Sequence, residues 1–363
     1  MAKKNRIESK ELRILRSLNT RMTLAEKDRQ HYYSLKKGYE GEVMFDTLTE
    51  KLQCECTILN DLLFKVNNST FQIDTLIIIS ENMHVYEVKN YEGEYFYEGE
   101  RLYKKPKTEY SDPLVQLNRS ESLLRQLLHH EGYQFPIDGK VVFINPEFTL
   151  YQAPLDKPII LPTLVNSYLK KLDLMPSILT TRQEKLADKL ISLHIEENPY
   201  TILPPYKYDE VRKGLTCVLC NSFSISVIGK KCVCGDCGHE ELVTVAVMRC
   251  VREYVLLFPD QKISTNVIHE WCGVVESKKR IRRILEKNFK IVGVGQWITS
   301  SIDYKIIFIK LLRTFLLIFL LVLSPSTYLK SEHIHKGSCI AAASYILKTS
   351  LRSLFLLSSQ LIL

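Results

Sequence analysis

A chain of 363 residues is long enough for more than one domain, and no internal repeat or long low-complexity tract organises it. Its net charge of +8 is no argument for nucleic acid by itself: from Lys305 onward seven Lys or Arg face a single acid, Glu332, so residues 1–304 carry only +2. The N-terminus is charged throughout and reads as no secretory signal peptide, which disfavours a disulfide-stapled secreted class and sets the expectation of a cytoplasmic protein with reduced thiols.

Residues 1–37 hold eleven Lys or Arg against Glu8, Glu11, Glu26 and Asp28, a net of +7. They read as a basic helical arm, in which ELRILRSL forms an amphipathic helix that packs on the next domain or touches phosphate. A further helix is expected from about Tyr39, where GYEGEVMFDTLTEKL places Val43, Leu48 and Leu52 at a loose helical spacing. Glu42 would then lie in the first turn, where the helix dipole favours an acid. Cys54 and Cys56 alternate in an expected strand and read as buried thiols.

The most informative residues follow. QIDTLIII (72–79) and HVYEVKN (84–90) are rich in Ile, Val and Tyr and flank the turn-like SEN. A hairpin turning near Ser80 and Glu81 brings Asp74 opposite Glu87, and strand alternation points Glu87 and Lys89 the same way. Like charges directly opposed destabilise a sheet, a cost that a bound divalent cation removes. Carboxylate oxygens suit Mg²⁺ or Mn²⁺, and such an ion suits phosphodiester cleavage. Lys89 would position a water or offset charge on the phosphate. Glu42 would supply a third carboxylate. The competing reading is a half-exposed hairpin with Lys89 simply paired to Glu87 or Glu92.

YEGEYFYEGERLYKK continues as strand with glycine turns. Asp112 then caps a helix to about Leu128 with Leu114, Leu117 and Leu124 on its apolar side, and KVVFINP (140–146) is another strand. This order predicts an α/β fold, a mixed sheet flanked by helices. GYEGE, QIDTLII, HVYEVKNYEGEY and DPLVQLNRSESLL together resemble the nuclease-related domain (NERD) family of the PD-(D/E)XK nuclease superfamily, over roughly residues 38–150. The resemblance implies a metal-dependent nuclease acting on DNA, in DNA processing or defence. It makes Asp74 the metal-binding Asp, Glu87 and Lys89 the (D/E)XK pair, Glu42 the helix acid and Gln116 the polar residue of the following helix. Asp112 stands where the family pattern often has Asn.

Residues 151–212 read as a helical connector, with RQEKLADKLISLHIEE a helix and His194 a surface residue. Cys217, Cys220, Cys234 and Cys237 form C-x2-C-x13-C-x2-C, the spacing of paired zinc knuckles, and FSISVIGKKCVC between them suits a structural zinc ribbon over 213–243. Cys232 offers an alternative ligand if the register shifts. Residues 244–299 follow a winged-helix order: VTVAVMRCVREYVLLF, a helix capped by Ser264 and ended by Gly273, a helix capped by Ser277, and the hairpin-like FKIVGVGQW. Lys278, Lys279, Arg280, Arg282 and Arg283 make the third helix basic and suit it to phosphate contact rather than base reading. Residues 300–363 form an apolar, basic tail. Its clean stretch, Phe315–Leu323, is too short to span a bilayer, so membrane association through residues 306–329, a buried helical appendage and an abnormal extension are the three readings. The overall expectation is a nuclease with Mg²⁺ or Mn²⁺ at the acids and Zn²⁺ at the thiols; the alternative is a non-catalytic nucleic-acid or protein binding module on a nuclease fold.

Overall fold

The computed structural model describes residues 2–289. The hairpin-like FKIVGVGQW beyond Phe289 and the whole apolar tail, with its membrane readings, lie outside the described residues. Among the described residues no helix is long and apolar enough to cross a membrane.

Two helices open the chain. α1 (Lys10–Arg21) starts at Ser9, whose hydroxyl accepts from the Leu12 amide. α2 (Glu26–Thr49) begins well before Tyr39, so Glu42 sits far inside it and not in the first turn as its glycine neighbours suggested. Those glycines are not start signals. A Cβ on Gly38 would meet nothing within 4 Å, whereas one on Gly41 would fall 2.4 Å from Asn90 Cβ. Gly41 is the point where the helix backbone closes on the sheet. Leu12, Leu15 and Tyr32 bury together where α1 meets α2.

The β-branched run that follows forms a meander of β1 (Thr57–Val66), β2 (Ser69–Ile79) and β3 (Asn82–Lys89). Two-residue turns join them, with Asn67, Asn68 and Ser80 at positive φ, the geometry that matches strand twist. β4 (Gly93–Glu98), β5 (Arg101–Lys104) and β6 (Thr108–Tyr110) come next. Asp112 then caps α3 (Pro113–His130), accepting from the Leu114 amide. After α3 come β7 (Ile137–Phe143), β8 (Phe148–Tyr151), the two-residue β9 (Ile159–Ile160) and a 3-10 turn at Pro162–Leu164. α4 (Val165–Asp173) and α5 (Thr181–Leu193) complete this part.

The main sheet runs β1-β2-β3-β7-β9, antiparallel through β3 and parallel from β3 to β9. A second sheet, β6-β5-β4-β8, continues past the ends of β3 and β7. The architecture is thus mixed α/β, as expected. One face of the main sheet packs Leu76, Val85 and Val141 against α3 and α5; the other packs Ile77, Tyr86 and Val142 against Phe45 of α2 and Leu169 of α4. Three local expectations change. β9 is a strand within the connector, too short to leave a periodic signal. Cys54 and Cys56 precede β1 and are half-buried rather than alternating in a strand. His194 is half-buried and its Nδ1 accepts from the Leu63 amide, which ties the end of α5 to β1.

The remaining elements are β10 (Ile225–Ile228), β11 (Lys231–Cys234) and β12 (Glu240–Leu242), a three-stranded antiparallel sheet, then α6 (Val243–Leu257), α7 (Thr265–Cys272) and α8 (Lys278–Asn288). The caps foreseen at Ser264, Gly273 and Ser277 are all present. Arg21 reaches this region from α1. Its guanidinium pairs with Glu253 at 2.6 Å, donates to the Arg212 and Gly214 carbonyls and lies 4.2 Å from the Trp271 ring.

Candidate functional site

The hairpin register pairs Thr75 with Tyr86, which sets Asp74 opposite Glu87 on the next step. Glu87 and Lys89, two apart on β3, share a face of the strand with Val85, the face packed on α3. Asp74 and Glu87 are almost completely buried, at 6% and 3% exposed. Asp74 Oδ2 accepts from the Val88 amide at 2.7 Å, which fixes this carboxylate across the strand gap. Lys89 Nζ lies 2.6 Å from Glu87 Oε1 and 3.1 Å from the Gln116 amide oxygen on α3. The Lys89–Glu87 pair of the competing reading therefore exists, but buried and not on a solvated hairpin; Glu92 pairs with Lys37 instead. Lys89 Nζ is thus the charged partner of the buried Glu87 Oε1.

Electrostatics reflect the crowding. Burial, reinforced by the neighbouring Asp74 charge and opposed by Lys89, pushes the Glu87 carboxyl up to about 8. Burial also raises Asp74 against the pull of Lys89. For Lys89, burial works against the charge, but Glu87 and Asp74 outweigh it and hold the ammonium above its ordinary value. Buried carboxyls that resist ionising beside a single ammonium are a donor set that a divalent cation would fit.

Glu42 approaches from α2. Its carboxyl is raised to about 8, mainly by burial and then by Asp74, with Arg6 acting in the opposite direction. Arg6 was not foreseen. Its side chain is 3% exposed, and Nη1 donates to Glu42 Oε2 at 2.6 Å while Nε and Nη2 reach Asp46 at 2.9 and 3.1 Å. Asp46 is one helical turn from Glu42, and two acids at that spacing repel unless something answers them. That spacing was the available signal. Arg6 itself looked like any other charge of the arm.

The thiols gather more tightly. The ligand atoms of Cys217, Cys220, Cys234 and Cys237 all lie within 4.8 Å of one another, the one group of three or more ligand-type side chains that does so among the described residues. Cys217 and Cys237 sulfurs stand 3.5 Å apart and Cys220 and Cys234 sulfurs 3.6 Å apart. Four thiolates around one ion at about 2.3 Å sit roughly 3.8 Å from each other, so the set fits a tetrahedral metal and is far too wide for disulfides. Backbone amides of Cys237 and Asp236 aim at the Cys234 sulfur and lower its thiol to about 7. Gly238 takes φ +72°, and a Cβ on Gly235 would sit 2.6 Å from Ser224 Oγ, so both glycines of the second knuckle are needed. Cys232 is no alternative ligand: it lies one pleat along β11, buried, its thiol raised to about 11 by burial with Glu241 adding to it.

On α8, Ile281 and Ile284 are buried while Lys278, Lys279, Arg282 and Arg283 are exposed. Arg280 is half-buried. Its guanidinium donates to the Gly229 carbonyl in the β10–β11 turn, so it ties the helix to the thiol-bearing sheet.

No curated protein and no solved structure matches the chain. The nuclease-related domain family model does match, over residues 37–144, the segment holding Glu42, Asp74, Glu87, Lys89 and Gln116. Residues 37–144 of this chain are therefore identified as a nuclease-related domain.

Proposed function

We propose that the protein is a metal-dependent nuclease that hydrolyses phosphodiester bonds of DNA. The observation that supports this reading most is the buried Asp74–Glu87–Lys89 patch, two carboxyls and one ammonium gathered in one place. Asp74 and Glu87 are the residues that would hold Mg²⁺ or Mn²⁺, with Glu42 assisting from α2. A cation there supplies Lewis acidity toward a phosphate oxygen and makes a nearby water more acidic. Lys89 orients the attacking water and offsets negative charge as the water oxygen adds to phosphorus and the P–O bond to the leaving oxygen breaks. Gln116, through its amide oxygen, holds the Lys89 ammonium in place. The four cysteines would hold a structural Zn²⁺, and the exposed cations of α8 would bind the phosphate backbone; Arg280, engaged with Gly229, contributes by placing the helix. A cytoplasmic setting, where thiols stay reduced, suits a four-cysteine metal site.

The test is cleavage of a DNA panel by the purified full chain. Cutting should require Mg²⁺ or Mn²⁺ and stop with chelator. Lys89→Ala should lower the rate by about 10²-fold or more, the scale of removing one transition-state charge partner, in protein whose retained fold is checked by circular dichroism because Glu87 loses its buried partner. Cutting that survives both Lys89→Ala and Asp74→Asn would reject the catalytic assignment in favour of a binding module.

A further inference from the structure

We infer that Arg6 is a built-in cation of the acid site, which takes the place of a second metal ion and sets the site to bind one; this rests on the nuclease reading above. Arg6 lies outside the nuclease-related segment of residues 37–144. It is delivered by a strap: the Lys3 amide donates to Ile58, the Asn60 amide donates to Lys4, and Lys4 forms a parallel bridge with Leu59 on β1. Lys4 Nζ reinforces the strap by donating to the Asn60 and Asp61 carbonyls at 2.8 and 2.6 Å. From there the Arg6 guanidinium reaches Glu42 and both oxygens of Asp46, and Nη2 donates to the Asp74 carbonyl at 2.7 Å. One planar group thus joins the helix acids to the backbone of the strand that carries Asp74.

The charge balance follows from these contacts. Glu42, Asp46, Asp74 and Glu87 are four carboxylates; Arg6 and Lys89 are the two cations in contact with them. Lys4 and Asp61 nearby offset each other. With all four deprotonated, as binding a cation requires, two negative charges are left, the complement of one divalent ion. In two-metal hydrolytic sites the ions stand about 3.5–4 Å apart, and the second ion needs oxygen ligands beyond those it shares with the first. Here both oxygens of Asp46 and one oxygen of Glu42 are already engaged by a guanidinium that is buried and held at several points, which leaves Glu42 one oxygen for the single ion, and a fork bound in that way is not readily displaced.

The experiment is a Mn²⁺ titration by calorimetry on the full chain with its thiol site filled by zinc. The parent should bind one ion. Arg6→Met should bind a second ion at the freed Glu42 and Asp46. Asp46→Asn keeps Arg6 but takes away a partner, so the less-compensated cation should weaken the single Mn²⁺ by several-fold to tenfold through repulsion. Asp46 touches no proposed metal ligand, so this variant decides the matter even if Arg6→Met does not fold. A parent that binds two ions, an Arg6→Met that binds one with parental affinity, or an Asp46→Asn with an unchanged isotherm would each overturn the inference. The nuclease reading fails separately, if Asp74→Asn leaves Mn²⁺ binding intact.

Discussion

At the residue scale, the central fact is that this site holds carboxylates where the fold alone would not choose them. Glu42 and Glu87 have native values near 8, against an ordinary value of 4.5. A carboxyl raised in the folded state keeps its proton after the unfolded chain has released its own, so stability falls as pH rises from about 4.5 to about 8 and then levels. The metal-free protein should therefore melt at a lower temperature at about pH 8 than at about pH 5. Glu87→Gln should flatten that slope, since an amide cannot ionise. Because binding a cation needs the carboxylates deprotonated, Mn²⁺ should raise the melting temperature most at the alkaline end and release protons on binding near neutrality. Thermal unfolding across pH, with and without Mn²⁺, checks all three; a metal-free midpoint that climbs with pH would contradict the assignment of buried, proton-holding acids.

At the scale of elements, the position of α2 depends on one close approach. Gly41→Ala would drive a methyl group into Asn90 at 2.4 Å, where the backbone of a long helix must shift to make room. The expected cost is about 1–3 kcal/mol, with cleavage impaired because Glu42 moves with the helix. Gly38→Ala, on the same helix with open space around it, should instead stabilise by about 0.5–1 kcal/mol. Chemical denaturation of the two variants reads both signs. The pair also shows what the sequence could and could not say. Asp74, Glu87 and Lys89 were legible because strand alternation and a two-residue turn fix register locally, and the four cysteines because their spacing is itself the geometry. The start of α2 was not, because a glycine required by a distant Asn90 looks the same as a glycine that ends a helix. Arg6 was hidden for the same reason: its partners stand on α2 and β2, far along the chain, and nothing in its own neighbourhood distinguishes it from the other cations of the arm.

At the scale of the whole molecule, the N-terminal segment is a tie rather than an appendage. Arg6 enters the acid patch, and farther along the same segment Arg21 is buried against Glu253 and Trp271. Removing one partner of a buried ion pair leaves the other charge uncompensated, so Arg21→Ala should cost about 3–5 kcal/mol. The thiol site makes the complementary case. A sheet as small as β10–β12 buries little apolar surface, and its fold is expected to depend on the Zn²⁺ proposed for its four cysteines. Stripping zinc with a strong chelator should loosen this sheet, and Arg280 on α8 then loses its acceptor at Gly229. Nucleic-acid binding should weaken several-fold or more as the exposed cations of α8 lose their fixed placement. Mn²⁺ binding at Asp74 and Glu87 should be restored in full once chelator is removed and Mn²⁺ added back, because that patch rests on the main sheet and shares no ligand with the thiols. Filter binding of labelled DNA and Mn²⁺ calorimetry on the same zinc-stripped sample separate the two sites. Unchanged DNA binding after zinc loss would show that α8 does not deliver the substrate, and parallel loss of Mn²⁺ would show that the thiol sheet supports the acid patch as well.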